Sequence, residues 1–239
     1  MKYIYGPVKS RRLGLSLGLS LAPYKICNFD CVYCQLGKTD YLTGERKEYL
    51  KIEEVLAELK SWLNNNIQEA GNLSYITISG LGEPTLNIKI GQLILEIKQI
   101  TKVPVAVITN ASLLNDTCVR QELLGADLLL PSLDTVDPEV FRQIDRPQQG
   151  IRIDDIINGL LNFRNEFSGK IWLEVMLVRG VNDDLAQIKK LKVVIDRINP
   201  DKIQLNSPIR ATSQQNILPA DNKKLQKIKE ILGDKCEII

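Results

Sequence analysis

The chain has 239 residues, 44% of them apolar (AVILMFWYC) and 25% charged, and 31 Lys+Arg against 29 Asp+Glu leave a net charge of +2. That length predicts one domain, 1–239, with a core that needs no disulfides, and the charge is too small to mark the whole surface as a nucleic-acid or membrane binder. No apolar run approaches the ~20 residues of a membrane span and no signal-peptide stretch opens the chain, so the expected setting is cytoplasmic, with no membrane contact.

A short segment, 1–12, precedes the first patterned element. Leu13, Leu15, Leu17, Leu19 and Leu21 then alternate with Gly14, Ser16, Gly18 and Ser20. This is strand periodicity, with a leucine face and a Gly/Ser face. The small face either lets a neighbour pack close or borders a cavity. Residues 35–50 are polar and aperiodic and read as a loop, and 51–66 carry apolar groups at helical spacing. After these come a strand over 75–79, a helix over 87–100, a strand over 105–109 and a helix over 115–124. A strand over 127–134 is followed by helices over 137–146 and 151–167. A strand over 170–178, a helix over 185–198, a strand over 202–206 and a closing helix over 220–232 complete the chain. Strands alternating with amphipathic helices predict a parallel sheet with right-handed crossovers, open or a partial barrel, its core about 13–206. Functional loops then lie at the C-terminal ends of the strands.

Histidine is absent. Ser-His-Asp and Cys-His catalysis, HExxH zinc sites and the facial triad of non-haem iron are thereby excluded. Five cysteines occur, three of them as Cys27-x3-Cys31-x2-Cys34 directly after the first strand. Asn28 and Asp30 break any apolar pattern there, so the cluster does not read as core. Structural zinc wants four ligands, whereas an iron–sulfur cluster with one open iron needs three. Cys118, beside Val119, Leu123 and Leu124, reads as a small buried hydrophobe.

The cysteine motif, placed on the first loop of a (βα)-repeat chain, resembles that of the radical S-adenosylmethionine (radical SAM) superfamily. The resemblance implies a partial (βα)6-type parallel barrel. It implies a [4Fe–4S] cluster on Cys27, Cys31 and Cys34, with SAM chelated to the fourth iron and Tyr33 against the adenine. Ser79-Gly80-Leu81-Gly82-Glu83-Pro84 resembles the family's Gly-Gly-Glu motif for the methionine amino group, with Leu81 at the first glycine position, so Gly82 and Glu83 are expected at SAM. Asn110, Ser132, Asp134 and Glu174 at later strand ends are expected at the ribose or carboxylate of SAM, or at substrate. Taken singly, Asn, Ser and Asp at such junctions also read as helix N-caps. Glu174 instead lies among Ile171, Trp172, Leu173, Val175 and Met176, where a carboxylate needs a buried partner or a cavity.

Tyr5-Gly6-Pro7-Val8, Ser10-Arg11-Arg12-Leu13-Gly14, Cys31 to Gly37, Pro131 to Asp134 and Leu173 to Asn182 extend the likeness to the subgroup containing wyosine-type tRNA base-forming enzymes. The chain lacks those enzymes' second cysteine trio and long C-terminal extension. The implied activity is reductive cleavage of SAM to a 5′-deoxyadenosyl radical for hydrogen abstraction, with electrons from a flavodoxin- or ferredoxin-type donor. The expected substrate is RNA, met by Arg11, Arg12, Asn182, Asn206 and Arg210. The alternatives are a protein substrate, as for glycyl-radical activases, or a non-enzymatic metal-binding module.

Overall fold

The computed structural model describes residues 2–239. Strands β1 (Ile4–Ser10) and β2 (Gly14–Ser20) form a hairpin, followed by the two-residue strands β3 (Ile26–Cys27) and β4 (Tyr41–Leu42). Helices α1 (Ile52–Asn65) and α2 (Ile67–Ala70) lead to β5 (Tyr75–Ser79). A 3-10 turn, Pro84–Leu86, precedes α3 (Ile90–Ile100) and β6 (Val105–Thr109). The chain continues through α4 (Thr117–Leu123), β7 (Leu128–Pro131), α5 (Pro138–Ile144), α6 (Ile153–Glu166) and β8 (Lys170–Met176). It ends with α7 (Leu185–Ile198), β9 (Lys202–Asn206), α8 (Asn222–Leu232) and β10 (Cys236–Ile238).

Eight strands form one sheet in the order β1-β2-β5-β6-β7-β8-β9-β10. Every neighbouring pair is parallel except β1 with β2. All six predicted core strands are present. The sheet reaches beyond the expected core of 13–206 at both ends, because 1–12 contributes β1 and the segment after α8 contributes β10. The sheet curls. Arg12, in the β1–β2 turn, donates from Nη1 to Glu174 of β8 at 2.7 Å, and Gln204 of β9 donates to the Arg12 carbonyl at 3.3 Å. These bonds join strands from opposite sides of the sheet, which makes it a partial barrel.

One sheet face carries Leu17, Leu19, Ile76, Ile78, Val105, Val107, Leu129, Leu173, Val175 and Leu205, all fully buried under the helices. The inner face is apolar at one end, where Leu13, Tyr75, Ala106, Leu128, Leu130 and Trp172 pack together. Leu13 therefore leaves the leucine row, because Gly14 takes φ +72° and turns the chain before the alternation begins. Farther along the inner face the side chains are small or polar: Ser16, Gly18, Thr77, Ser79, Glu174, Gln204 and Asn206. The predicted helix over 87–100 begins only at Ile90, because Asn87 Oδ1 accepts from Lys89 N at 2.9 Å and holds a turn there. Asp116, Asp137, Asp184 and Asp221 cap α4, α5, α7 and α8 by accepting backbone N–H bonds, each worth about 1 kcal/mol.

Candidate active site

The cysteine loop is fastened on three sides. Tyr41 N donates to Lys25 O (3.1 Å) and Thr43 N to Cys27 O (2.9 Å), so β4 folds back from the predicted 35–50 loop against β3. Val32 N donates to Ile144 O (2.9 Å) and Gln148 N to Asn28 O (2.8 Å), tying the loop to the end of α5. Ser213 Oγ donates to Cys31 O at 2.7 Å from the segment after β9. The side chains that broke the apolar pattern serve this fastening. Asn28 is fully buried, donating to Ser112 Oγ (2.6 Å) and accepting from Asn110 Nδ2 (2.7 Å), while Asp30 accepts from Thr39 N (2.7 Å).

Cys27, Cys31 and Cys34 are half-buried and reduced. Burial, reinforced by the Glu83 carboxylate, pushes the Cys27 thiol up to about 12. Burial and then Asp145 raise Cys31 well above the usual thiol range. Against this, Cys27 Sγ accepts from Phe29 N at 3.4 Å and Asn110 Nδ2 at 3.8 Å. Three soft donors on one loop, with N–H groups directed at the Cys27 sulfur and the Lys25 cation near it, fit an iron–sulfur cluster. Among the described residues, no three Cys, Asp or Glu side chains, the three cysteines included, are gathered closely enough to hold a single metal ion. Cys118 is exposed, contrary to its predicted burial, because it occupies the first turn of α4 while Val119 and Leu123 face the core. Cys236 is buried in β10.

The Gly-Glu loop lies against the cysteines. Ile26 N donates to Leu81 O (3.3 Å) and Glu83 N to Ile26 O (3.0 Å). Gly82 has φ +116°, and a Cβ there would overlap the Ile26 carbonyl. Only glycine allows this approach. Glu83 is buried, and burial raises its carboxyl above the usual range. Its Oε1 accepts from Thr85 N (3.0 Å), Thr85 Oγ1 (2.6 Å) and Thr109 Oγ1 (2.7 Å), and Oε2 from Asn110 N (2.7 Å).

Of the strand-end residues, Asn110, Ser132, Asp134 and Tyr33 meet around a small cavity of about 20 Å³. None of them caps a helix; aspartates farther along the chain do. Tyr33 OH donates to Asp134 Oδ2 and, at 3.3 Å, to Asp145 Oδ1. Burial, then the facing acid, raises Asp134; burial raises Asp145. Glu174 does not line this cavity: its oxygens accept from Arg12 Nη1 (2.7 Å) and Asn206 Nδ2 (3.0 Å), the buried partners that a carboxylate in this strand needs.

A second cavity, about 330 Å³, fills the gap where the barrel stays open. The Gly/Ser face of β2 borders it through Ser16 and Gly18. Arg11, Arg12, Asn206 and Arg210 also line it. Asn182 does not. It is buried, donating to Asp134 O (2.9 Å) and Met176 O (2.8 Å) and accepting from Val178 N (2.8 Å), so its bonding capacity is consumed in fixing the turn after β8.

The model of the Radical SAM superfamily matches residues 21–191. The chain belongs to the radical SAM superfamily. A UPF0026 protein of Methanocaldococcus jannaschii is 36% identical over 239 residues, all of this chain and 73% of that protein. A protein of Brachyspira hyodysenteriae named GTPase Obg is 40% identical over 237 residues, 99% of this chain but only 34% of that protein, so the chain spans about a third of that relative's length. Among solved structures, TYW1 with a lysine–pyruvate adduct superposes with a TM-score of 0.63 at 21% identity, over 91% of this chain and 72% of that one. That likeness shows the fold.

This protein is accordingly a radical SAM enzyme, of a family that uses SAM and an iron–sulfur cluster. Among the described residues, no helix is long and apolar enough to cross a membrane. Beside these cavities lie residues that sequence patterns single out weakly or not at all. Asp145 touches both Tyr33 and Cys31; an acid at the C-cap of α5 opposes the helix dipole, and that misplacement is its signal. Thr109 and Gln204 carry none, since a polar residue inside a strand pattern is common. Tyr5 belongs to the N-terminal Tyr-Gly-Pro-Val motif, which by itself assigns it no role; here its ring packs on Gly18 and its hydroxyl bonds Ser79 Oγ.

Proposed function

We propose that the chain works as a single radical SAM domain, binding a [4Fe–4S] cluster through Cys27, Cys31 and Cys34 and abstracting hydrogen from a base in RNA. When bound, the cluster and SAM supply a 5′-deoxyadenosyl radical after one-electron reduction, the electron coming from a flavodoxin- or ferredoxin-type donor in the cytoplasm. The protein's residues hold and orient. Asn110 and the Phe29 N–H stabilise the Cys27 thiolate. Gly82 brings the Gly-Glu backbone to the cysteine loop, and Glu83 fixes that backbone through its four accepted bonds, so the loop rather than the carboxylate faces the methionine amino group. Tyr33, Asn110, Ser132 and Asp134 surround the nucleoside. The 20 Å³ between them has room for about one water, so these side chains would have to part to admit the adenine. Leu133, Phe141, Ile153 and Ile156 form its apolar wall.

The observation that carries the substrate reading is the cavity beside the cysteine loop, with Lys9, Arg11, Arg12 and Arg210 along it. Gln35, one residue after Cys34, accepts from Arg210 Nη1 at 3.3 Å, linking the cationic cavity to the cluster loop. The test is anaerobic reconstitution with SAM and dithionite, followed by mass spectrometry of RNA from a deletion strain. Formation of 5′-deoxyadenosine together with a missing modified nucleoside supports the reading. Formation of 5′-deoxyadenosine with unchanged RNA moves the substrate to protein or a small molecule.

A further inference from the structure

The open-barrel cavity holds more information about its ligand than basic charge alone. Its cationic lining residues are Lys9, Arg11, Arg12 and Arg210, and none of its lining residues among those described is acidic. The cations are not equivalent. Lys9, Arg11 and Arg210 are exposed at the rim. Arg12 is drawn inward by Glu174, whose side chain is only 9% exposed and whose second oxygen is held by Asn206. Gln204, fully buried, fixes the Arg12 backbone. Only Nη1 of Arg12 is used in this pairing; the rest of the guanidinium edge has no hydrogen-bond partner among the described residues. A guanidinium anchored on one side by a buried carboxylate presents its remaining N–H groups in a fixed direction, the arrangement suited to a phosphate or carboxylate.

The remaining walls narrow the choice. Ser10, Ser16, Thr77, Ser79, Gln35 and Asn206 offer hydroxyl and amide partners. Tyr5 is held by Gly18 and Ser79 as a rigid aromatic plate at the edge of the cavity, and it also lines an apolar cleft of about 340 Å³ with Leu36 and Leu81. A flat ring beside hydroxyl-bonding groups and a fixed cation matches base, sugar and phosphate together. The volume, about 330 Å³, lies at the small end of ligand pockets, roughly 300–1,000 Å³, and cannot house a polymer.

We propose that the cavity binds one nucleoside phosphate, with Arg12, oriented by Glu174 and Asn206, as the residue that reads the phosphate. This deepens the substrate reading above and rests on it. Two sources supply the same chemistry: a free mononucleotide, or a single RNA residue turned out of its strand.

The test is calorimetric titration of the cluster-loaded, SAM-saturated enzyme with GMP, UMP and CMP, each against its own nucleoside, and with a single-stranded RNA trinucleotide. SAM saturation keeps the probes out of the adenosine site. If the ligand is a free nucleotide, at least one monophosphate should bind ten-fold or more tightly than its nucleoside. Arg12→Gln should abolish that preference, Glu174→Gln should weaken it, and Lys9→Gln should change it less. Should Arg12→Gln fail to fold, Arg12→Lys serves, keeping the charge but losing the fork, with an intermediate preference expected. Arg12-dependent binding of the monophosphate assigns a free nucleotide; Arg12-dependent binding of the trinucleotide alone assigns an RNA residue. No binding of either, or a phosphate preference unchanged in a folded Arg12 variant, overturns the proposal. Failure of the radical SAM reading would show separately, as missing iron or missing SAM affinity in the unaltered enzyme.

Discussion

Gly82 and Glu83 form a unit with separable duties. Gly82→Ala places a methyl group on the Ile26 carbonyl and forces a side chain into a positive-φ backbone, adding at least about 1–3 kcal/mol of strain. Relief requires the Gly-Glu loop to withdraw from β3, so the variant should lose SAM affinity and part of its iron; calorimetric SAM titration with iron assay checks both. Glu83→Ala strands the Asn110 N–H and two threonine hydroxyls, at a cost of about 1–3 kcal/mol in stability. It should retain iron yet bind SAM more weakly, and wild-type SAM affinity in that variant would show that the carboxylate does not fix the loop. The sequence made Glu83 legible by its neighbours, Gly82 and Pro84. It could not show that the carboxylate reaches past its local partner Thr85 to Thr109 and Asn110, because those two bonds depend on β5 and β6 lying side by side.

At the scale of elements, the βα alternation was readable because buried parallel strands are short apolar runs and the covering helices are amphipathic. Elements with little apolar content escaped. β1 (IYGPVKS) alternates imperfectly and pairs with a shift between Tyr5 and Val8, and β10 has three residues. β4 has two residues whose partners lie in the cysteine loop. That loop gains its shape from α5, β4 and the segment after β9, neighbours that no local pattern announces. The two other cysteines lie outside it. Cys118→Ala and Cys236→Ala should leave iron and sulfide unchanged, while Cys236→Ala, buried in β10, lowers the melting temperature slightly. Loss of iron in either variant would make that cysteine part of the metal site.

The whole molecule sets its chemistry in a gradient along the barrel. Apolar side chains close one end, the cationic cavity opens along the side between the β1–β2 hairpin and β9, and the cluster loop stands at the strands' C-terminal end. A barrel left open there admits part of a large substrate while Arg210 and Gln35 join cavity to cluster loop. Removing the rim charges together (Lys9→Gln, Arg11→Gln, Arg210→Gln) should weaken bulk tRNA binding. It should also flatten the salt dependence by about 0.7 log unit for each phosphate left without its cation, as read by filter binding across a salt series. An unchanged slope would remove RNA phosphates from the rim. The central claim, that three cysteines and the Gly-Glu loop assemble a SAM-cleaving iron–sulfur centre, is tested most directly by one measurement. The protein and its Cys27→Ala, Cys31→Ala and Cys34→Ala variants are reconstituted anaerobically and assayed for iron, sulfide and dithionite-dependent 5′-deoxyadenosine. About four irons and four sulfides per chain with 5′-deoxyadenosine formation, all abolished in each variant, is the predicted result. Tightly bound zinc in place of iron, or a full cluster that forms no 5′-deoxyadenosine, would contradict it.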